Sequence, residues 1–196
     1  MNLSRFSARR RTAFALIGAL LSALSMSQVM AQDTPKVKFS TTAGDFVVEL
    51  YPDKAPKTVE NFLQYVKDKH YDGTIFHRVI DNFMVQGGGY DAKYAEKKTR
   101  APVVHEGRDA LAKGGPRNVV GTLAMARTND PNSASAQFFI NVKDNAFLDP
   151  STQAYGYTVF GKVISGMDVV NKMKSTPTGA GGPFPSDVPK TPILVN

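Results

Sequence analysis

Cysteine is absent from this sequence. Its absence excludes disulfides, thiolate nucleophiles, cysteine-ligated iron–sulfur clusters and cysteine-ligated zinc. The core must therefore hold together without covalent staples. The three histidines, His70, His77 and His105, show no metal-ligand spacing, and neither a metal nor another cofactor is expected. Gly87-Gly88-Gly89 is not followed by the Gly-Lys-Ser/Thr of a phosphate loop and does not open a helix. Ser165, in VISGM, lacks the G-x-S-x-G elbow of a serine hydrolase. No acidic pair stands out as a glycosidase couple. The chain also lacks internal repeats and low-complexity tracts.

Strong net charge is missing once the N-terminus is set aside. The whole chain carries +7, but residues 1–31 contribute four arginines and no acid. The other 165 residues hold 20 basic against 17 acidic side chains, a net +3. Lys93, Lys97, Lys98, Arg100, Arg108, Lys113 and Arg117 are interrupted by Glu96, Glu106 and Asp109 and have no interleaved aromatics. This pattern fits a solvated loop face and speaks against nucleic-acid binding.

What is present at the N-terminus has a familiar order. Arg5, Arg9, Arg10 and Arg11 precede a mostly apolar, uncharged run from Thr12 to Met26, and Val29-Met30-Ala31 ends it with a small residue. The run falls short of the ~20 apolar residues that span a bilayer. The reading is a secretory signal peptide over residues 1–31, cleaved before Gln32. A periplasmic protein with no membrane association after cleavage follows as the expectation. Residues 32–196 suit a single domain with its own core.

Within that domain Val37–Thr41 and Asp45–Tyr51 read as a hairpin around Ala43-Gly44. Pro56 opens a helix whose apolar stripe is Val59, Phe62, Leu63 and Val66, with Lys67, Lys69 and His70 complementing the dipole at its end. Strands are predicted over Thr74–Ile80, Phe83–Gln86, Val119–Ala126, Gln137–Val142, Tyr157–Val163 and Ile193–Val195. Residues 87–116 read as a long irregular surface excursion, Met167, Val170 and Met173 mark a second helix, and Ser175–Lys190 reads as a loop. Many short strands with two separated helices favour a mainly β, closed antiparallel structure over a doubly wound sheet. No exposed heptad or apolar stripe asks for a partner, which makes a monomer the expectation.

Two segments are far more specific than any of these patterns. They are FHRVIDNFMVQGG, starting at Phe76, and GTLAMARTNDPNSASAQFFIN, starting at Gly121. NAFLD and YTVFGKVISGMDVV follow in order. Together they closely resemble the cyclophilin family of peptidyl-prolyl cis-trans isomerases, most of all its secreted bacterial type. The resemblance implies a closed eight-stranded antiparallel β-barrel capped by two α-helices, with a filled interior and an active groove outside. It implies action on X-Pro bonds of unfolded or extended polypeptides, assisting the folding of exported proteins, with no cofactor.

Carried over residue by residue, Arg78 matches the catalytic arginine. Phe83, Met84, Gln86, Ala126, Arg127, Gln137, Phe139, Phe147, Leu148 and Tyr157 match substrate-binding positions. Three of these depart from the commoner pattern. Arg127 stands where animal members often have Asn, Phe147 where many eukaryotic members have Trp, and Tyr157 where they have His. Loss of the indole donor at Phe147 implies weak cyclosporin binding, while the Tyr157 hydroxyl keeps a hydrogen-bonding tip.

The residue types suit the reaction. Rotation about a peptide bond breaks amide resonance, at a barrier of ~18–20 kcal/mol. No bond to the enzyme forms, so no nucleophile is required. In the twisted state the proline nitrogen gains a lone pair, and a fixed cationic donor stabilises that state selectively. Arginine stays protonated and is rigid. Strand alternation adds one geometric demand. With a two-residue turn at Asp81-Asn82, Met84 and Gln86 would face away from Arg78. A wider connection over Asp81–Phe83 is therefore expected.

Overall fold

The computed structural model describes residues 34–196; the expected signal segment lies outside the described residues. Strands β1 (Lys36–Thr41) and β2 (Gly44–Leu50) pair antiparallel from Lys36↔Glu49 to Thr41↔Gly44. Alternation sends Phe39, Phe46, Val48 and Leu50 into the core. Helix α1 (Pro56–Lys67) begins at a proline whose missing N–H costs nothing there, and it buries Val59, Phe62 and Tyr65. Its first turn is capped from far away in sequence. The Glu106 carboxylate accepts from the amides of Lys57 (3.2 Å) and Thr58 (2.8 Å) and from the Thr58 hydroxyl (2.7 Å). These are orphan donors at the positive end of a helix dipole, and a buried carboxylate answers both needs.

The remaining elements are β3 (Arg78–Ile80), β4 (Met84–Gly87), α2 (Gly107–Ala112), β5 (Thr122–Met125), β6 (Phe138–Asn141), β7 (Val159–Ser165), α3 (Met167–Lys174), β8 (Thr178–Gly181) and β9 (Phe184–Pro189). Seven strands form one antiparallel sheet in the order β1-β2-β7-β5-β6-β4-β3, and β8 and β9 make a separate hairpin. The sheet curls into an open half-barrel, which corrects the closed eight-stranded barrel expected from the sequence. Ile193–Val195, expected as a final strand, makes only isolated bridges, Val195 to Thr41 and Leu194 to Ile75. Backbone bonds link it to both flanks, among them the Thr42 amide to the Leu194 carbonyl (3.0 Å) and the Phe76 amide to the Ile193 carbonyl (3.0 Å), without forming a ladder.

Three α-helices, not two, are present among the described residues, with a short 3-10 turn over Ala146–Leu148. The extra one, α2, has six residues and sits in the stretch expected to be irregular, too short to show a helical period. The β8–β9 hairpin falls within the expected loop 175–190, where glycines and prolines hide strand alternation.

The sheet carries apolar side chains on both faces. The main core gathers Phe39, Phe46, Phe62, Phe138, Ile140 and Phe160 with Val79 and Val85 between the concave face and α1. A second, smaller cluster on the other face contains Met84, Ala124, Phe139, Leu148 and Val159, with Ile80, Phe83, Ala126 and Tyr157 packed against it. Neighbours such as Phe138 and Phe139 thus serve opposite faces, as the two-residue period of a strand requires.

Candidate active site

The turn between β3 and β4 decides what shares a face with Arg78. Three residues, Asp81, Asn82 and Phe83, connect the strands, with Asn82 in the left-handed region at φ 57° and the Phe83 amide bonded to the Ile80 carbonyl at 3.1 Å. The register is Arg78↔Gln86, Val79↔Val85 and Ile80↔Met84. Arg78, Met84 and Gln86 therefore project to the same side, while Val79 and Val85 enter the core. The wider connection expected from strand alternation is what is found.

On that side lies an open groove of about 140 Å³, lined by Arg78, Phe83, Met84, Gln86, Ala126, Arg127, Phe139, Leu148 and Tyr157. All nine are among the residues carried over from the family pattern. β4 pairs β6 with Gln86 opposite Phe139, and β5 pairs β6 with Ala124 opposite Phe139, so Phe139 forms the floor between them. Tyr157 meets Phe139 edge-to-face at 5.4 Å. A volume of this size admits one small ring and is well below that of a drug-sized pocket.

The polar groups differ sharply in their freedom. Arg78 is exposed, and among the described residues its guanidinium has no hydrogen-bond or ion-pair partner. Arg127 is held by three of its N–H groups. It donates from Nε and Nη2 to the Gly156 carbonyl (3.0 and 2.8 Å) and from Nη1 to the Thr128 carbonyl (2.7 Å), and it stacks over Tyr157 at 4.8 Å. Arg127 thus builds the wall, and Arg78 is the cation free to meet a ligand. Gln86 is half-buried and donates to Gln137 Oε1 at 3.0 Å, which holds its amide in place.

Two of the carried-over residues lie outside the groove lining. Gln137 sits one hydrogen bond behind Gln86, against Gly89, where an added Cβ would come within 2.6 Å of the Gln137 side chain. Phe147 is 73% exposed and stacks on Phe83 with centroids 5.7 Å apart, so it extends the apolar rim instead of closing the cavity.

His77 points the opposite way from Arg78. It is buried against Tyr90 (4.7 Å) and Phe184 of β9 (5.3 Å), and its Nδ1 has no hydrogen-bond partner among the described residues. Burial, with the charge of Arg78 adding to it, lowers its pKa to about 4.

A buried polar network supports the groove from beneath, and sequence reasoning missed it. Asn145 Nδ2 donates to the Phe83 carbonyl (2.9 Å) and to Asn141 Oδ1 (2.7 Å). Asn141 in turn donates to Asn118 and Thr122, and Asn118 donates to the Leu148 carbonyl (3.2 Å) and to Asp149. Phe83 and Leu148 are thus fixed by their backbones, leaving their side chains to line the groove. The available signal was the run of amides at Asn118, Asn141 and Asn145, polar residues at apolar strand edges that need buried partners.

The fold is thus a curled antiparallel half-barrel that carries a solvent-facing apolar groove, with an arginine unpaired among the described residues and a held glutamine. The family model described as cyclophilin type peptidyl-prolyl cis-trans isomerase/CLD matches residues 36–196. A peptidyl-prolyl cis-trans isomerase of Acinetobacter baylyi is 48% identical over 186 residues, covering 95% of this chain and 93% of its own. Peptidyl-prolyl cis-trans isomerase B of Escherichia coli K12 is 49% identical over 162 residues, covering 81% and 95%. Among solved structures, a Cryptosporidium parvum cyclophilin type peptidyl-prolyl cis-trans isomerase, crystallised in the presence of the dipeptide Ala-Pro, superposes with a TM-score of 0.64 at 26% identity, covering 82% of this chain and 95% of its own. The chain belongs to the cyclophilin-type peptidyl-prolyl cis-trans isomerase family, and the chemistry is that of an isomerase.

Proposed function

We propose that this isomerase acts in the periplasm on unfolded or extended exported polypeptides, turning X-Pro bonds in the groove around Arg78. The observation that carries the reading is the contrast between Arg78, exposed and unpaired among the described residues, and Arg127, bound to carbonyls through three N–H groups. Phe83, Met84, Phe139 and Leu148 receive the proline ring, and the Ala-Pro dipeptide used with the Cryptosporidium relative supports that choice of ligand. Gln86, steadied by Gln137, grips a flanking carbonyl. The groove excludes water from one side of the bond, and Arg78 donates to the proline nitrogen as it loses conjugation.

Magnitudes show how the work is divided. A hundred-thousandfold acceleration removes ~7 kcal/mol from the barrier. One hydrogen bond to a charged group contributes ~1.5–3 kcal/mol. The remainder belongs to the apolar walls and the backbone grip, which hold the flanks while the bond rotates.

The periplasmic part of the proposal is supported by the signal-like pattern of residues 1–31. The mature chain works as a monomer without cofactor, and its cyclosporin affinity is weak because Phe147 lacks the indole donor. The test is exchange NMR on an Ala-Pro peptide with catalytic amounts of protein, together with N-terminal sequencing of the protein recovered from the periplasmic fraction. Faster cis/trans exchange and a chain starting at Gln32 are expected. Peptide binding without faster exchange would reduce the groove to a proline-binding module, absence of the protein from the periplasmic fraction would remove the periplasmic assignment, and a chain still starting at Met1 would remove the cleavage site.

A further inference from the structure

We propose that His105 is a positioning residue that fixes the Tyr157 wall of the groove by holding the carbonyl of Gly156. The inference rests on reading the groove as the proline site. His105 belongs to the long excursion between β4 and β5, far in sequence from every groove residue. Its Nε2 lies 3.2 Å from the Gly156 carbonyl, the same oxygen that accepts from Arg127 Nε and Nη2. At its other end, the ring takes the Gly107 amide, which donates to Nδ1 at 3.3 Å. An Nδ1 that accepts leaves the proton on Nε2, so His105 donates to Gly156 as the neutral ring. Burial favours that neutral form, with the charges of Arg127 and Arg108 adding to it and Asp109 opposing.

The loop before Gly156 has few other ties: Arg108 donates to the Thr152 carbonyl at 3.4 Å and lies 4.7 Å over the Tyr155 ring, which His105 meets edge-to-face at 5.9 Å. Residues 151–155 are exposed, and the Ser151 amide bonds only within the loop, to the Ala154 carbonyl. Gly156 has φ +61°, and an added Cβ would come within 2.4 Å of the Pro150 nitrogen. The backbone is therefore drawn tightly against Leu148–Pro150 just before Tyr157 begins the wall. The Tyr157 amide then donates to the Leu148 carbonyl at 2.9 Å, tying two groove residues to the same point. Arg127 anchors the oxygen from the groove side and stacks on Tyr157; His105 anchors it from the α2 side. Without His105, one support of a shared carbonyl is lost, and the ring that Arg127 covers is free to shift. Arg78, across the groove on β3, keeps its place.

Two substitutions separate this role from simple attachment of α2. His105→Gln places an amide N–H near the Nε2 position and keeps the bond to Gly156. His105→Asn places a carbonyl near Nδ1, keeping the Gly107 amide satisfied but not reaching Gly156. Steady-state isomerisation of an Ala-Pro peptide, with thermal melts alongside, gives the comparison. His105→Ala and His105→Asn are expected to raise KM roughly three- to tenfold, the worth of one neutral hydrogen bond, with kcat close to wild type. His105→Gln is expected to recover most of that loss. Equal recovery by Asn and Gln, or an unchanged KM in His105→Ala, overturns the role of His105 while wild-type catalysis keeps the proline reading intact. Absence of wild-type catalysis overturns both.

Discussion

Arg78 and Arg127 line the same groove, yet their surroundings give them different tasks. A guanidinium with three N–H groups committed to carbonyls and its face on Tyr157 is structural material. One standing free on a strand, opposite Gln86, can spend its donors on a ligand. In isolation an arginine among apolar strand residues reads as a solvent-facing charge, and it does face solvent; only the family pattern in the sequence marks it out. Phe147 shows the converse. Most phenylalanines are core, but this one is 73% exposed and rests on Phe83 at the rim. An indole in that place adds a donor over the groove. Phe147→Trp is expected to tighten cyclosporin binding several-fold, in line with one added hydrogen bond, in a fluorescence titration. Unchanged affinity would place the ligand elsewhere.

Among the elements, the β3–β4 turn does most to make the site. Three connecting residues in place of two bring Met84 and Gln86 to the side of Arg78, and strand alternation together with the family pattern, which needs these residues on one side, demands this from the sequence. Helix α1 and the short helix α3 are also legible, since their apolar positions repeat at helical spacing. The cap of α1 is not, because the carboxylate comes from Glu106, far along the chain, and no local signal records a tertiary partner. Glu106→Ala leaves the Thr58 amide and hydroxyl without their acceptor in a buried setting. A loss of about 2–4 kcal/mol is expected, seen as a fall of roughly 5–15 °C in the melting temperature.

The packing of β9 on β3 carries its own pH dependence. His77, under Phe184, has a folded-state pKa of about 4, below its ordinary 6.5. Its neutral form therefore stabilises the fold fully above pH 6.5, and that contribution drains away as pH falls towards 4. The amount is on the order of 3 kcal/mol. Urea unfolding at pH 7 and pH 4 is expected to show a larger loss for wild type than for His77→Phe, whose ring cannot titrate. Equal losses would mean that His77 is not the group responsible.

At the scale of the whole molecule, a sheet with apolar side chains on both faces explains how a filled core and a binding site coexist. The inner face is sealed by α1 and the aromatic cluster around Phe62 and Phe138, and the outer face is left as a groove floored by Phe139. The mainly β class is legible in the pattern of short strands, and the groove residues only through the family pattern. Closure is not: whether Ile193–Val195 joins a ladder depends on hydrogen-bond geometry at both flanks, and it makes isolated bridges only. The amides beneath the groove are hidden for a related reason, since Asn118, Asn141 and Asn145 acquire meaning only when three distant segments meet.

The central claim is that Arg78 acts on the twisted state and not on the resting peptide. Exchange NMR on an Ala-Pro peptide at saturating concentration, comparing wild type with Arg78→Ala, measures it most directly. Arg78 is exposed and unpaired among the described residues, so the variant is expected to melt at the wild-type temperature and to bind peptide with similar affinity. Its maximal exchange rate is expected to fall by about 10- to 150-fold, the worth of one charged hydrogen bond. An equal maximal rate in the two proteins would contradict the account and take Arg78 out of the mechanism.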